Sequence, residues 1–183
     1  MELLLRIKAI LLRPQAEWPV IAQEKGDVSV LFVHYVAILA LVPALAHFIG
    51  ACLVGFYAPI LSGLAGALVT YVSAFAFVYV LALIIDALAP IFAARKSFAS
   101  AFKLSVYCCT PVWLAGVFLL VPGLSFLVIL GLQGLYLLAT GLPVLMQAPA
   151  RRTLPYTAAV GACALILAVG LGFATAPLFS PAG

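Results

Sequence analysis

The amino-acid sequence predicts an all-α membrane protein. The expected fold is a bundle of five transmembrane helices, with a cytoplasmic N-terminus, an outside C-terminus and a short interfacial N-terminal segment. Composition predicts it first, because 67% of the 183 residues are hydrophobic, only 8% are charged and the mean hydropathy is +1.32. Soluble domains carry ~25% charged residues. The composition therefore excludes a soluble fold, a nucleic-acid-binding module, a disulfide scaffold and a disordered chain.

The first part of the chain, residues 1–27, is predicted as a cytoplasmic or interfacial leader. As a helix it would carry Glu2, Arg6 and Arg13 on one face and turn leucine and isoleucine side chains toward the bilayer. Trp18 lies where an aromatic residue of the membrane interface would anchor the chain. The alternative is a solvated, charged leader that only touches the headgroups. We do not expect a signal peptide, because charges interrupt the apolar start and no small-residue cleavage site follows.

Five stretches are long and apolar enough to cross the hydrocarbon core, which needs about 20 predominantly apolar residues. Glycine and proline residues mark the joints between them. Backbone groups in lipid must be bonded internally, so each stretch is predicted to be a helix. The predicted membrane domain covers 28–178, with spans at about 28–54, 64–92, 103–121, 124–146 and 154–178, and a short outer tail follows at 179–183.

The 9 basic residues predict the orientation of the bundle. They lie before the first span, between the second and third spans, and between the fourth and fifth spans, whereas the other three flanks hold none. Cytoplasmic flanks carry an excess of Lys and Arg, so the N-terminus is expected in the cytoplasm. The residues are Arg6, Lys8, Arg13, Lys25, Arg95, Lys96, Lys103, Arg151 and Arg152.

One predicted span contains an acidic residue, Asp86, and each ionisable group inside a membrane costs ~2.5–3.5 kcal/mol on insertion scales. Asp86 precedes Arg95 by nine residues and His34 follows Asp27 by seven, which predicts similar depths for the two side chains. They form a candidate polar pair, either a proton relay or two groups that satisfy each other. Lys103, at the base of the third span, is an alternative partner for Asp86.

No metal site, disulfide, cofactor or catalytic residue is expected. Cys108 and Cys109 are adjacent, no C-x-x-C motif occurs, and Cys52 has no second outer cysteine to pair with. His34 and His47 lie about 20 Å apart along one helix, too far to share a metal ion. Because no face combines a base, a nucleophile and an orienting acid, we do not expect an enzyme.

Small residues recur every four positions on two predicted spans. This spacing lets helix backbones approach closely, either within the protein or at a homodimer interface, and we expect the intramolecular use. The residues are Gly66, Thr70 and Ala74 on the second span, and Ala164, Ala168, Gly172 and Ala176 on the fifth.

Several short motifs follow one another in a distinctive order, mainly between residues 71 and 149. Their residues are Asp86, Pro90, Tyr107, Thr110, Pro111, Trp113, Pro122, Gly123, Tyr136, Gly141 and Pro143, and the leader adds Pro14 and Trp18. As an ordered set they resemble the bacterial branch of the Yip family. These are multi-pass proteins related to the Rab-interacting membrane proteins of eukaryotes.

The resemblance implies five spans, a cytoplasmic N-terminus and a non-enzymatic membrane protein. Eukaryotic relatives bind prenylated GTPases and take part in vesicle traffic. We do not expect that role here, because about 27 residues before the first span leave little cytoplasmic domain to hold a GTPase. Cys108 and Cys109, where small Ser or Ala residues would match the family pattern, are assigned no family role.

We therefore expect an integral membrane interaction or organising protein of the Yip type, in a cell membrane and most simply a bacterial inner membrane. Its expected partners are the lipid bilayer and, through the basic cytoplasmic loops, anionic headgroups or another membrane protein. No nucleic acid is expected as a partner. The alternative function is a small proton-coupled transporter or channel that uses Asp86 and His34.

Overall fold

Helices interrupted at proline and glycine dominate the structure, a computed structural model that describes residues 3–24, 31–54 and 59–179. Helix α3 begins and ends in a π-helical turn, and two 3-10 segments, Gly116–Leu120 and Pro122–Leu132, connect α5 to α6. The helices are α1 (Leu3–Leu12), α2 (Pro14–Gln23), α3 (Phe32–Val54), α4 (Ile60–Leu88), α5 (Phe98–Ala115), α6 (Gln133–Leu145) and α7 (Ala150–Phe179).

The predicted all-α membrane fold is confirmed. Four helical segments of the described chain are long and apolar enough to cross a bilayer, and a shorter apolar helix covers Ile129–Leu145. The fourth predicted span thus differs from expectation, because its first part, Pro122–Leu132, is a 3-10 helix of 11 residues. A 3-10 helix rises ~2.0 Å per residue, so this extended segment still covers about 22 Å.

Local chemistry moves two helix starts ahead of the predicted boundaries. Helix α4 begins at Ile60, directly after Pro59, whose extended backbone precedes the first turn. Helix α5 begins at Phe98, because the Ser97 hydroxyl accepts a hydrogen bond from the backbone N–H of Ser100. This cap satisfies one of the free N–H groups of the first turn.

Helix α5 lies at the centre of the bundle and α7 at its edge. All side chains from Leu104 to Pro111 are buried. In the most apolar window of each span, 61% of the α5 segment is buried inside the protein but only 6% of α7. Helix α4 packs against α3, α5 and α7, while α2 packs against α6.

Two glycines bring α5 and its 3-10 extension close to neighbouring helices. A Cβ atom at Gly134 would lie 2.5 Å from the Cys108 carbonyl oxygen, and one at Gly116 would lie 2.7 Å from Pro43 Cβ. Neither belongs to the predicted small-residue stripes. On α4, Gly66 is buried and Thr70 donates to the Gly66 carbonyl oxygen at 2.9 Å, within the same helix.

The stripe on α7 is covered at one end only. Ala164 packs against the core, but Ala168 is exposed and a Cβ atom at Gly172 would meet no atom within 4 Å. The side chain of Ala176 lies outside the described part of the chain. The expected intramolecular packing is therefore seen at Ala164 but not at Ala168 or Gly172, and the homodimer alternative stays a prediction.

Candidate functional site

Helices α1 and α2 form a hairpin that packs on α5 and α6. At the hairpin turn, the Leu11 carbonyl accepts a hydrogen bond from Gln133 Nε2 at 3.1 Å. At its open end, Lys103 Nζ donates to the carbonyl oxygens of Ile21 and Glu24, at 3.1 and 2.5 Å. The hairpin turn thus meets the start of α6, while the open end meets the first turns of α5.

These contacts confine the hairpin to one half of the bundle. Gln133 and Leu145 bound α6, and the 12 residue steps between them cover about 18 Å. Helix α2 has 10 residues. It is therefore about 15 Å long. The hydrocarbon core of a bilayer is ~30 Å thick, so the hairpin is long enough for one leaflet only.

A charged cluster holds the two arms of the hairpin together. The Arg6 guanidinium donates to Glu17 Oε1 and to Glu24 Oε1. Side-chain exposure is 9% for Arg6, 13% for Glu17 and 42% for Glu24. We call Arg6, Glu17, Glu24 and Lys103 the hairpin cluster; its two positive and two negative charges balance.

The electrostatics of the hairpin cluster favour the charged form of Arg6. Burial lowers the pKa of the Arg6 guanidinium, but the neighbouring acidic groups of Tyr107, Glu24 and Glu17 outweigh it, so the pKa lies above its usual value. The alternative of a solvated, charged leader is wrong for Arg6, whose side chain is only 9% exposed. A tertiary contact with α2 removes this one base from solvent.

Trp18 fixes the hairpin to the bundle. Its side chain is fully buried, its Nε1 donates to Thr140 Oγ1 at 3.0 Å, and its ring meets that of Tyr107 edge-on at 6.1 Å. A Cβ atom at Gly141 would lie 2.9 Å from the indole ring. The interfacial anchoring predicted for Trp18 is therefore wrong, since Gly141 opens a place for the ring between the helices.

The motif residues are divided between the interior and the surface. Tyr107 also contacts Tyr35, at a ring distance of 5.0 Å, and the Tyr35 hydroxyl hydrogen-bonds Thr110 Oγ1 at 3.0 Å. Buried motif residues are Pro14, Trp18, Tyr107, Thr110, Pro111, Trp113 and Gly141, whereas Pro90, Gly123, Tyr136 and Pro143 are exposed and the Pro122 side chain lies outside the described part. Two aromatic motif residues, Trp18 of the hairpin and Tyr107 of α5, are thus in contact where the hairpin packs on the bundle.

Asp86 lies where the end of α4 meets the start of α7. Its Oδ1 atom is buried and has no hydrogen-bond partner among the described residues. Next to it, the Tyr156 hydroxyl donates to the Ile85 carbonyl oxygen, and Phe92 stacks on Tyr156 at 4.8 Å. The carboxylate is thus half-buried in an apolar and aromatic surrounding.

The predicted Asp86–His34 pair is wrong. The Phe32 ring meets that of Phe75 at 5.0 Å, so the start of α3 faces the middle of α4. Asp86 lies 11 residues beyond Phe75, about 16 Å further along α4. The proton relay between these two side chains, on which the transporter alternative depended, has no geometric basis.

The predicted Asp86–Lys103 pair is wrong too. Lys103 Nζ is directed to the carbonyl oxygens that end α2, and Asp86 Oδ1 receives no hydrogen bond. Lys103 therefore hydrogen-bonds the N-terminal hairpin instead of the Asp86 carboxylate that its sequence position suggested as a partner. Sequence spacing carries no information about this competitor, because α2 reaches α5 only through the tertiary fold.

Replacing Asp86 with alanine is expected to raise the free energy of unfolding by about 1 kcal/mol. The substitution removes a buried oxygen without a partner and a negative charge from the last turn of α4, where the helix dipole disfavours it. Reversible unfolding in mixed micelles measures the effect, with Asp86→Asn as the control that keeps the size of the side chain. A lower stability of Asp86→Ala would show that the carboxylate has a stabilising partner.

Exposed bases collect at one end of the bundle. Arg152 Nη1 donates to the Ile91 carbonyl oxygen at 3.0 Å, and the Arg95 backbone N–H donates to the Met146 carbonyl oxygen at 2.7 Å. These bonds join the loop after α4 to the start of α7. They place the exposed side chains of Arg95, Lys96, Arg151 and Arg152 together, and we call these four residues the basic end.

The part of the chain that the structure describes contains no set of side chains that could bind a metal ion. There, no three His, Cys, Asp or Glu side chains come close enough to hold an ion. Cys52, Cys108 and Cys109 are buried as free thiols, and Cys163 is partly buried. The polar features that remain are the hairpin cluster, Asp86 and the basic end.

Comparison with known proteins identifies one family. A family model described as the Yip1 domain matches residues 8–171. No curated protein and no solved structure matches the chain. The matched range begins within α1 and ends within α7, so it includes the hairpin as well as the spanning helices.

Proposed function

The chain belongs to the Yip1 domain family, and on that premise we propose that this multi-pass membrane protein organises the surrounding bilayer without catalysing a reaction. The observation that carries the proposal is the N-terminal hairpin. It is fixed to one half of the bundle by the hairpin cluster and by Trp18. A wedge in one leaflet expands that leaflet relative to the other.

The outer surface of the hairpin suits contact with lipid. Leu4 is 75% exposed and Leu12 is 69% exposed, so apolar side chains face away from the bundle along α1. The membrane affinity of helices that insert an apolar face into one leaflet depends on the curvature of the membrane. The hairpin adds such a surface to a protein that is already anchored by its spanning helices.

The hairpin turn adds a charge at the deep end of this wedge. Arg13 is exposed between α1 and α2, at the level where Leu11 meets Gln133. A charged side chain in the bilayer centre is costly, and local thinning and entry of water reduce that cost. Arg13 therefore favours a thinned or deformed bilayer next to the hairpin.

The basic end supplies the second contact with the membrane. Arg95, Lys96 and Arg151 are exposed there, and each base near an anionic surface contributes about 1 kcal/mol of attraction. With the predicted orientation, this is the cytoplasmic leaflet. We propose a bacterial inner membrane as the location, and the same bases would attract an acidic partner protein.

Curvature sorting tests the proposal. Fluorescently labelled protein is reconstituted into phosphatidylcholine vesicles of mixed diameter, and protein density is measured on single vesicles. Density is expected to rise as the diameter falls, because a one-leaflet wedge relieves the packing stress of a curved membrane. Arg6→Ala, which releases the hairpin, is expected to flatten this dependence, whereas Lys96→Ala is expected to keep it.

The outcome that would contradict the proposal is equally specific. A density that is independent of diameter for the wild type and for both variants would show that the hairpin does not deform the bilayer. Retention of the dependence in Arg6→Ala would show that the sorting comes from the spanning helices instead.

A further inference from the structure

A large apolar cavity lies between α4, α5, α6 and α7. Its volume is about 720 Å³. Ligand sites are typically ~300–1,000 Å³, so the space is large enough for a small molecule or a lipid chain. None of the four residues of the hairpin cluster lines it.

Small residues create this cavity. Gly131, Gly134 and Gly161 line it together with Ala158, Ala164 and Ala168, which leaves space that larger side chains would fill. Two residues of the α7 stripe, Ala164 and Ala168, therefore form part of one wall of the cavity.

The wall of the cavity carries few side-chain groups that could hydrogen-bond a polar ligand. Three lining side chains carry a hydroxyl or a thiol, namely Thr157, Cys108 and Cys109. The Thr157 hydroxyl already donates to the Thr153 carbonyl oxygen at 2.8 Å. The occupant that fits such a wall is a hydrocarbon chain.

The cavity also has the length of a lipid chain and a charge at one end. Along α7 its lining runs from Leu154 to Ala168, a distance of about 21 Å. One leaflet of the ~30 Å hydrocarbon core is about 15 Å deep, so the cavity is long enough for an acyl chain that reaches the middle of the bilayer. Arg151 is exposed about one helical turn before Leu154.

We propose that the cavity binds an acyl chain of an anionic phospholipid whose headgroup contacts Arg151. Charge complementarity selects an anionic headgroup, and the apolar wall selects the chain. A second copy of the protein, placing its own α7 in the groove, is the competing occupant. The site goes beyond the bilayer organisation proposed above and does not depend on the hairpin.

Photo-crosslinking tests this site in the full-length protein. The protein is placed in nanodiscs with equal amounts of phosphatidylcholine and phosphatidylglycerol, of which one at a time carries a diazirine at the end of an acyl chain. Cross-linked peptides are mapped by mass spectrometry. We expect label on cavity residues such as Leu135, Leu138 and Leu165, with roughly fivefold more from phosphatidylglycerol.

Matched variants separate the chain contact from the headgroup contact. Ala168→Phe fills the cavity and is expected to reduce the label at its lining several-fold, whereas Ala174→Phe, an exposed alanine of α7 outside the cavity, is expected to leave it unchanged. Arg151→Gln is expected to remove the preference for phosphatidylglycerol, and Lys8→Gln, at an exposed base of α1 outside the cavity, is expected to keep it. Ala168→Leu replaces Ala168→Phe if the latter aggregates during gel filtration.

Two results would overturn the proposal. Equal labelling by both lipids in the wild type, with no effect of either substitution at position 168, would show ordinary solvation by the bilayer. Disulfide cross-links between two copies of Ala168→Cys, in a background in which the 4 native cysteines are replaced by alanine, without lipid label in the cavity, would show a dimer interface. Failure of curvature sorting leaves these readouts unaffected, so the two proposals are tested separately.

Discussion

Substitution of Arg6 with alanine is expected to lower the free energy of unfolding by about 3–5 kcal/mol. The guanidinium bridges Glu17 on α2 and Glu24 just after it, and its removal leaves the largely buried Glu17 carboxylate without a positive partner. The loss comes from that unpaired carboxylate more than from the attraction itself. Reversible unfolding in mixed micelles, followed by circular dichroism, measures the change.

Two controls separate this effect from a general loss of positive charge. Lys8→Ala removes an exposed base from the same segment and is expected to change stability by no more than about 0.5 kcal/mol. The double variant Arg6→Met with Glu17→Met replaces the pair with apolar side chains of similar length and is expected to recover most of the loss. Equal effects of Arg6→Ala and Lys8→Ala would contradict the buried cluster.

Substitution of Trp18 with alanine is the second large effect, with an expected loss of about 3–5 kcal/mol. The indole fills the place between α2 and α6 that Gly141 leaves open, so its removal leaves a cavity there. The same unfolding experiment measures the loss. Exposure of the hairpin to limited proteolysis is expected to increase in parallel, because the hairpin loses its main apolar contact.

The hydrogen bond of Trp18 is tested separately. Thr140→Val removes the acceptor for the indole N–H and keeps the shape of the side chain, so we expect a loss of about 1 kcal/mol. Since Thr140 Oγ1 also donates to carbonyl oxygens of its own helix, the variant leaves those free. A stability of Trp18→Ala no lower than that of Thr140→Val would contradict burial of the ring.

The fold class could be predicted because it depends on composition and length. A chain with so few charges must place its helices in lipid, and proline and glycine residues mark where those helices end. The same logic failed for residues 122–132, where a 3-10 helix forms. Apolar composition specifies that a segment is buried in lipid but does not distinguish α from 3-10 geometry.

The sites could not be predicted because they depend on which helices meet. Arg6 and Glu17 are 11 positions apart and become partners only when α1 folds back on α2. The sequence predicts equal depths for Asp86 and His34 because each depth is counted from a flanking charged residue, Arg95 or Asp27. Helix α4 extends past the start of α3 on that side, so Asp86 lies beyond the reach of His34.

For Trp18, the motif predicts the family correctly, but the predicted interfacial position of the side chain is wrong. The leader motif containing Pro14 and Trp18 resembles the family, and the family model confirms that membership over residues 8–171. A tryptophan near a membrane boundary is usually an interfacial anchor. Only the packing around Gly141 shows that this one is internal, and glycine at that position gives no such signal in the sequence.

The depth of the hairpin tests the central claim most directly. In a background in which the 4 cysteines are replaced by alanine, single spin labels at Leu12 and Gln23 are compared by their collision rates with oxygen, which dissolves in lipid, and with a water-soluble nickel complex. A hairpin held along one leaflet predicts that the Leu12 label collides mainly with oxygen and the Gln23 label mainly with nickel. Collision with nickel at both positions would place the hairpin on the membrane surface and contradict the account.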